Sequence, residues 1–218
     1  MRSIQEIYIQ YKIPPPLMHH LYRVTAYALY LTDHFVPDVQ LNRDFITKAC
    51  LFHDIGNIIK FDFRQDRLIE ISDQDAAKWK KVQEDFIAKY GPNENIAVNK
   101  IVAEIGLEEN VQMLLKQTGI EKIRFALTTD NWDVKLIRIA DERISPQGVV
   151  TMRERYADLL ARYQGRDHHL ADKKENEERL ALALELEKQI QSKCTIDLQK
   201  ITDTDIEPYI ERLREYEI

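Results

Sequence analysis

The sequence contains few of the residues that interrupt helices, with six glycines and seven prolines among 218 residues. It also has only two cysteines, Cys50 and Cys194, and no Cys-x-x-Cys pair, which argues against a disulfide framework and against a zinc ribbon. No run approaches the roughly 18 apolar residues of a membrane-spanning helix, and the first residues lack the layout of a signal peptide. We therefore expect a cytoplasmic protein with no membrane association.

Positive charge is also in short supply, since 31 Lys and Arg residues oppose 37 Asp and Glu residues, for a formal net charge of -6. Phosphate contacts along a nucleic acid need clustered Lys and Arg, so this balance argues against general nucleic-acid binding. The overall acidic charge still allows a local basic pocket that binds a small anion. Hydrophobic residues make up 44% and charged residues 31% of the chain, a globular composition with enough apolar residues for one sizeable core.

Apolar residues recur at steps of three and four through most of the chain, which predicts an all-α fold. The first such stretch runs from Leu17 to Phe35, follows the stiff segment IPPPL and is predicted to end at Pro37. Asn42 is a candidate N-cap for a second helix, with Gly56 near its end. Further helices are predicted over approximate ranges 75–90, 94–105, 108–117, 121–129, 132–144, 148–163, 173–193 and from 204 or 205 onward.

The helices group into two parts. We predict a compact multi-helix core over residues 1–165 and a charged extension of additional C-terminal helices over residues 166–218. The extension carries Leu180, Leu186 and Ile190 among many charges. Such a pattern suits docking on the core, and it equally suits a contact in a homodimer.

Three ionisable residues lie on helical stripes that are otherwise apolar. His53 lies seven, four and three positions after apolar residues of its helix, His20 lies three positions after Leu17, and Asp141 lies four positions after Ile137. A carboxylate in such a stripe is costly to bury unless a charged group meets it. These residues therefore need either a structural partner or a function.

Each of them alone has a structural explanation. A lone histidine on an apolar face is usually a hydrogen-bonded core residue, and Asp141 could pair with Arg23 or Arg138. Together with Asp54, which follows His53, they form a set of two imidazoles and two carboxylates that suits a divalent cation. Ligands from separate helices also leave coordination positions open for water and substrate. The set indicates a catalytic metal site, with a purely structural scaffold as the alternative.

The order of these residues resembles the HD-domain superfamily of metal-dependent phosphohydrolases. Three segments carry the resemblance: HLYRVTAYAL from His20, LFHDIGN from Leu51 and IRIADERIS from Ile137. It extends over roughly residues 17–160. The resemblance implies an HD-domain-like helical bundle in which one ion is bound by four side chains: His20, His53, Asp54 and Asp141.

The resemblance also implies an activity. Members use an activated water to hydrolyse a phosphate ester of a small molecule, with a nucleotide as the leading substrate class. Their metals include Mn, Fe, Co, Ni and Mg, and the mixed nitrogen and oxygen donors suit Zn as well. Asp54 is the candidate catalytic residue because it could orient or deprotonate the water. The candidates for binding the substrate phosphate are Arg23, Lys60 and Arg64.

The sequence departs from some members of the superfamily at two points. No histidine lies between His53 and Asp141, where members that bind two metals add histidines, so we expect one metal ion. Asn57 occupies the position where nucleotidase-like members place a glutamate. The alternative to an enzyme is a non-catalytic HD-fold module that senses a nucleotide or binds a protein partner.

Overall fold

Eleven α-helices and a short β-hairpin form the part of the chain that the computed structural model describes, residues 2–63, 73–164 and 171–218. The prediction of an all-α fold is confirmed. Within these residues, no helix combines the length and the apolar composition needed to cross a membrane. The hairpin pairs β1 (Ile144–Ser145) with β2 (Gly148–Val149) in antiparallel register. The helices are α1 (Ile4–Gln10), α2 (Pro15–Asp33), α3 (Arg43–Phe52), α4 (Asp73–Tyr90), α5 (Glu94–Ile105), α6 (Glu109–Gln117), α7 (Ile123–Thr128), α8 (Trp132–Glu142), α9 (Met152–Tyr163), α10 (Lys173–Gln191) and α11 (Asp203–Leu213).

Local chemistry fixes several helix ends at the positions that the sequence predicts. The side chain of Asn42 accepts a hydrogen bond from the N–H of Phe45 at 3.1 Å and caps the start of α3. Helix α5 has its predicted bounds, and Gly106 follows it with a left-handed φ of 85°. Glycine adopts this backbone conformation without steric cost, so the helix ends there.

The first helix, α1, has no counterpart among the predicted helices. It begins with a capping box, in which Ser3 Oγ accepts from the Glu6 N–H at 3.2 Å and the Glu6 carboxylate accepts from the Ser3 N–H at 2.9 Å. Ile4, Ile7 and Tyr8 are fully buried. The segment is therefore part of the core and not a surface tail.

Helix α2 begins and ends earlier than the apolar pattern predicts. Pro15 and Pro16 occupy its first turn, where the N–H groups that they lack would have had no acceptor within the helix. The helix ends at Asp33, ahead of Pro37, and His34 follows it with Nδ1 at 2.8 Å from the carbonyl oxygen of Tyr30.

Two further helices also end early. Helix α3 ends at Phe52 instead of near Gly56, so the next four residues form a turn. Helix α8 ends at Glu142 instead of Ile144, because Ile144 pairs with Val149 in the hairpin. Both ends lie where the candidate metal ligands are found.

Helix α2 lies at the centre of the core. It packs against α3 on one side, α8 on another and α11 on a third. Every residue from 24 to 29 of this helix is buried. A helix that is buried on all sides reads as apolar almost throughout, so a polar side chain along it needs a specific partner.

The C-terminal helices pack on the rest of the chain. Helix α10 lies against α7, α8 and α9, and α11 lies along α2. At the end of α8, Arg143 donates through Nη1 to Glu187 of α10 at 2.6 Å and through Nη2 to the carbonyl oxygen of Leu198 at 2.8 Å. The division of the chain at residue 165 and the homodimer contact stay predictions.

The turn after α3 passes close to the backbone of α5 at Gly56. A β-carbon on Gly56 would lie 2.6 Å from the carbonyl oxygen of Glu94 and 3.1 Å from the backbone nitrogen of Val98. Since backbone atoms cannot rotate away, we expect Gly56→Ala to lower the free energy of unfolding by about 1–3 kcal/mol, the range for overpacking a core. Urea denaturation followed by circular dichroism measures the change.

Gly119→Ala provides the control for this substitution. The nearest neighbours of a β-carbon on Gly119 are the carboxylate atoms of Glu121, at the flexible end of a side chain. We expect this variant to stay within about 0.5 kcal/mol of the parent protein. Equal stabilities of the two variants would contradict the close approach of the turn to α5.

Candidate metal centre

The four predicted ligands come from three elements that pack together. His20 lies near the start of α2, Asp141 lies in the last turn of α8, and His53 and Asp54 directly follow α3. Helix α2 packs against both α3 and α8. This packing brings all four side chains to one place, where two helix ends face the side of a central helix.

The distances between the ligand atoms are short. His20 Nε2 lies 3.3 Å from Asp141 Oδ1 and 3.8 Å from Asp54 Oδ2, and His53 Nε2 lies 3.5 Å and 3.8 Å from the same two atoms. His20, His53 and Asp54 offer ligand atoms that all lie within 4.8 Å of one another. Ligand atoms at about 2.1 Å from a common ion are separated by roughly 3.0–4.2 Å. The four separations between a histidine nitrogen and a carboxylate oxygen fall in this range. Asp141 lies outside the group of three but offers a fourth candidate ligand atom within 3.5 Å of both histidines.

The hydrogen bonds of His53 favour a role as a ligand. Its Nδ1 lies 2.8 Å from the carbonyl oxygen of Cys50, so Nδ1 carries a proton, and in the neutral ring Nε2 presents a lone pair. Nε2 is buried and has no hydrogen-bond partner. A buried polar atom without a partner is costly and needs an explanation. A metal ion bound to Nε2 would explain it. The Cys50 carbonyl would then hold the ring in orientation, as hydrogen-bond partners of metal ligands do.

The charges around the site leave an excess of negative charge. Asp141 Oδ2 lies 3.2 Å from Nη1 of Arg138, whose Nη2 pairs with Glu142. Of the two arginines predicted as possible partners of Asp141, Arg138 makes the contact. The guanidinium of Arg138 thus pairs with two carboxylates, and Asp54 adds a third carboxylate that Arg138 does not contact. Two negative charges remain when the histidines are neutral, which matches the charge of a divalent cation.

The pKa values of His53 and Asp141 shift in opposite directions, because each residue is surrounded by groups of the opposite charge. Burial would lower the pKa of His53, but Asp54 and Asp141 outweigh it and raise this pKa to about 9. Burial would raise the pKa of Asp141, but His20, His53 and the charge of Arg138 hold it well below its usual range. The Asp141 carboxylate therefore stays ionised and attracts positive charge, either a proton on His53 or a metal ion.

The predicted phosphate-binding residues have other contacts. Arg23 is half-buried, with Nε at 3.9 Å from Asp203 Oδ1 and Nη1 donating to the carbonyl oxygen of Pro146 at 3.4 Å. Lys60 is exposed, and its Nζ lies 3.9 Å from Glu94. Arg64 lies outside the described residues. Their roles toward a substrate stay predictions.

One supporting residue has no signal in the sequence. Gln83 of α4 places Nε2 within 3.0 Å of three carbonyl oxygens in the segment that follows Asp54, those of Ile58, Ile59 and Phe61. This side chain holds the segment behind the His-Asp pair in place. Nothing in the sequence could predict a contact between positions 22 to 25 residues apart, because it depends on how α4 packs.

Removal of one ligand should abolish tight metal binding. We expect His20→Ala to weaken the affinity for Mn²⁺ or Co²⁺ by more than about 100-fold, because loss of an outer-shell partner alone costs 10- to 100-fold. Chelator competition measures the affinity, and addition of the metal should raise the melting temperature of the wild type much more than that of the variant.

His19→Ala is the matched control, because His19 precedes His20 on the same helix but is exposed. Its metal affinity should equal that of the wild type. Loss of metal from the His19 variant together with retention by the His20 variant would reverse the assignment of the ligand.

Among the comparisons with known proteins, a match to a family model agrees with this geometry. No match was found among curated proteins, and none among solved structures. The family model of the HD domain matches residues 17–142. The match spans more than half of the chain and includes all four candidate ligands, from His20 on α2 to Asp141 on α8. The chain therefore belongs to the HD domain family, within the superfamily of metal-dependent phosphohydrolases.

Proposed function

We propose that this protein is an enzyme that uses one divalent metal ion to hydrolyse a phosphate ester of a small molecule in the cytoplasm. The observation that carries the proposal is the buried Nε2 of His53, which has no hydrogen-bond partner and faces two carboxylates and a second imidazole. We propose a nucleotide as the substrate class, on the basis of the resemblance to HD-domain phosphohydrolases.

The four ligands would hold the ion, each through one atom: Nε2 of His20 and His53, Oδ2 of Asp54 and Oδ1 of Asp141. A divalent ion bound there supplies a Lewis acid and lowers the pKa of a water toward neutrality. Mixed nitrogen and oxygen ligands suit Mn, Fe, Co, Ni, Mg and Zn alike, so each of these ions is a candidate for the site.

Asp54 is the ligand best placed to act on a water. Its side chain is 29% exposed, against 23% for Asp141 and 9% for His53, so it faces solvent more than they do. Arg138 engages Asp141 through Oδ2. We therefore propose that Asp54 accepts the proton of the attacking water, while Asp141 stays an electrostatic anchor.

The phosphate of the substrate needs positive charge on the exposed side of the site. We propose that Arg23, three residues after His20, and Lys60, six residues after Asp54, provide it. The ion pairs that they form with Asp203 and Glu94 are long, at 3.9 Å each. Such pairs at partly exposed positions are weak, so a phosphate could replace the carboxylates.

A second candidate is a non-catalytic HD-fold module that senses a nucleotide or binds a protein partner. Asn57 favours the non-catalytic module, because this residue replaces the glutamate of nucleotidase-like members. Its side chain is buried, at 6% exposed, and its backbone N–H donates to the carbonyl oxygen of Asp54 at 2.8 Å. A neutral, buried side chain offers no acid or base to a substrate.

Phosphate release from a panel of phosphorylated small molecules tests the activity. The protein is purified without chelator, its bound metal is measured, and turnover is assayed with wild type and Asp54→Asn. We expect Asp54→Asn to lower kcat by about 10²- to 10⁴-fold, the contribution of a general base. Arg23→Met and Lys60→Met should mainly raise KM.

Asp38→Asn is the control, since Asp38 is exposed and pairs with Lys193 at 3.1 Å, on a different part of the surface. It should keep the activity of the wild type. Bound metal without turnover of any compound favours the sensing module. Absence of metal from both the purified and the supplemented protein contradicts the metal centre itself.

A further inference from the structure

Two buried arginines with similar surroundings lie near the end of helix α8 and directly after it. Arg138 and Arg143 are each 1% exposed, and each pairs with a buried glutamate, Glu142 and Glu187 respectively. Only Arg138 also contacts a candidate ligand, because its Nη1 donates to Asp141 Oδ2 at 3.2 Å. The difference between the two arginines points to a task for Arg138 beyond stability.

The contact with Arg138 divides the two oxygens of Asp141 between two neighbours. Oδ2 accepts from the guanidinium, while Oδ1 lies 3.3 Å from His20 Nε2 and 3.5 Å from His53 Nε2. A carboxylate rotates easily about its last bond unless one oxygen is held. With Oδ2 held by Arg138, Oδ1 is the oxygen presented to the ion.

Arg138 is itself held by Glu142 and by the carbonyl oxygen of Thr118, and Glu142 is held in turn by Tyr156. Nη2 pairs with Glu142, one turn further along α8, and Nη1 also donates to the carbonyl oxygen of Thr118 at 3.3 Å. The hydroxyl of Tyr156 on α9 donates to Glu142 Oε1 at 2.9 Å. Tyr156 and Glu142 are 1% and 2% exposed, so neither exchanges these partners for water.

Glu142 also removes an electrostatic problem. A guanidinium beside a ligand of the ion would repel a cation if its charge were not balanced. The buried carboxylate of Glu142 neutralises Arg138, so Arg138 can orient Asp141 without opposing the binding of metal.

We propose that Arg138, held by Glu142 and Tyr156, is a positioning residue that presents Oδ1 of Asp141 to the metal ion. The inference rests on the proposed metal centre and adds a residue to it. It also gives α9, which lies outside the segment matched by the family, a part in metal binding through Tyr156.

A matched pair of substitutions tests the proposal, Arg138→Lys against Arg143→Lys. Lysine keeps the charge, but its single nitrogen cannot hold two carboxylates in the fork geometry of a guanidinium. We expect Arg138→Lys to weaken Co²⁺ affinity by about 10- to 100-fold, as for other outer-shell changes, and to alter the visible absorption spectrum of bound Co²⁺. Arg143→Lys should leave the affinity and the spectrum unchanged.

Stability is measured on the same proteins in chelator, so that loss of fold is separated from loss of metal. Tyr156→Phe is a milder third variant that keeps the ring and removes one hydrogen bond to Glu142. We expect it to weaken Co²⁺ binding by about 2- to 10-fold, the worth of one such bond. It keeps the proposal testable if Arg138→Lys does not fold.

The outcomes separate this proposal from the proposed function. Wild-type affinity in both Arg138→Lys and Tyr156→Phe, or equal losses in Arg138→Lys and Arg143→Lys, would overturn the positioning role and leave the metal centre intact. No Co²⁺ or Mn²⁺ binding by the wild type would overturn the metal centre, and the role of Arg138 with it.

Discussion

The main constraint on the structure is the negative charge at the junction of α2, α3 and α8, which has to be compensated. Asp54, Asp141 and Glu142 bring three carboxylates to a region walled by apolar residues, and Arg138 is the guanidinium that pairs with two of them. Charge of one sign in such a place destabilises the fold unless it is compensated. The raised pKa of His53 is a consequence of this imbalance, whereas the low pKa of Asp141 comes from its contacts with His20, His53 and Arg138. A divalent ion balances it with neutral imidazoles, which links metal binding to stability.

The shape of α8 follows from the same constraint. The helix carries a charged residue at 138, 141 and 142, all on the side that faces the site, and it ends immediately afterwards at Glu142. The β-hairpin then reverses the chain into α9, which returns Tyr156 to the buried carboxylate of Glu142. The early end of the helix is therefore part of how the charges are paired. A helix continued to Ile144 would remove the hairpin that makes this return possible.

Much of the fold, and the residues that meet at the candidate site, could be predicted from the sequence because the signals are local. Asn42, Gly106 and the three-four spacing of apolar residues fix helix ends and faces, and His20, His53 and Asp141 stand out as polar residues on those faces. The capping box of Ser3 and Glu6 was a readable signal for α1. The supporting contacts could not be predicted in the same way. Gln83 and Tyr156 are ordinary residues of their helices until tertiary packing brings them to a carbonyl group or a carboxylate.

The contacts around the ligands also explain why the metal centre is better defined than the chemistry at it. The residues that would hold the ion are held in turn by buried partners: the Cys50 carbonyl for His53, and Arg138 for Asp141. The groups that would meet a substrate, Arg23 and Lys60, have only long ion pairs at partly exposed positions. Rigid ligands beside adaptable charges suit a site that keeps one ion in place while substrates exchange. Asn57 is buried and neutral, so in the proposed function Asp54 is the candidate that accepts the proton of the water.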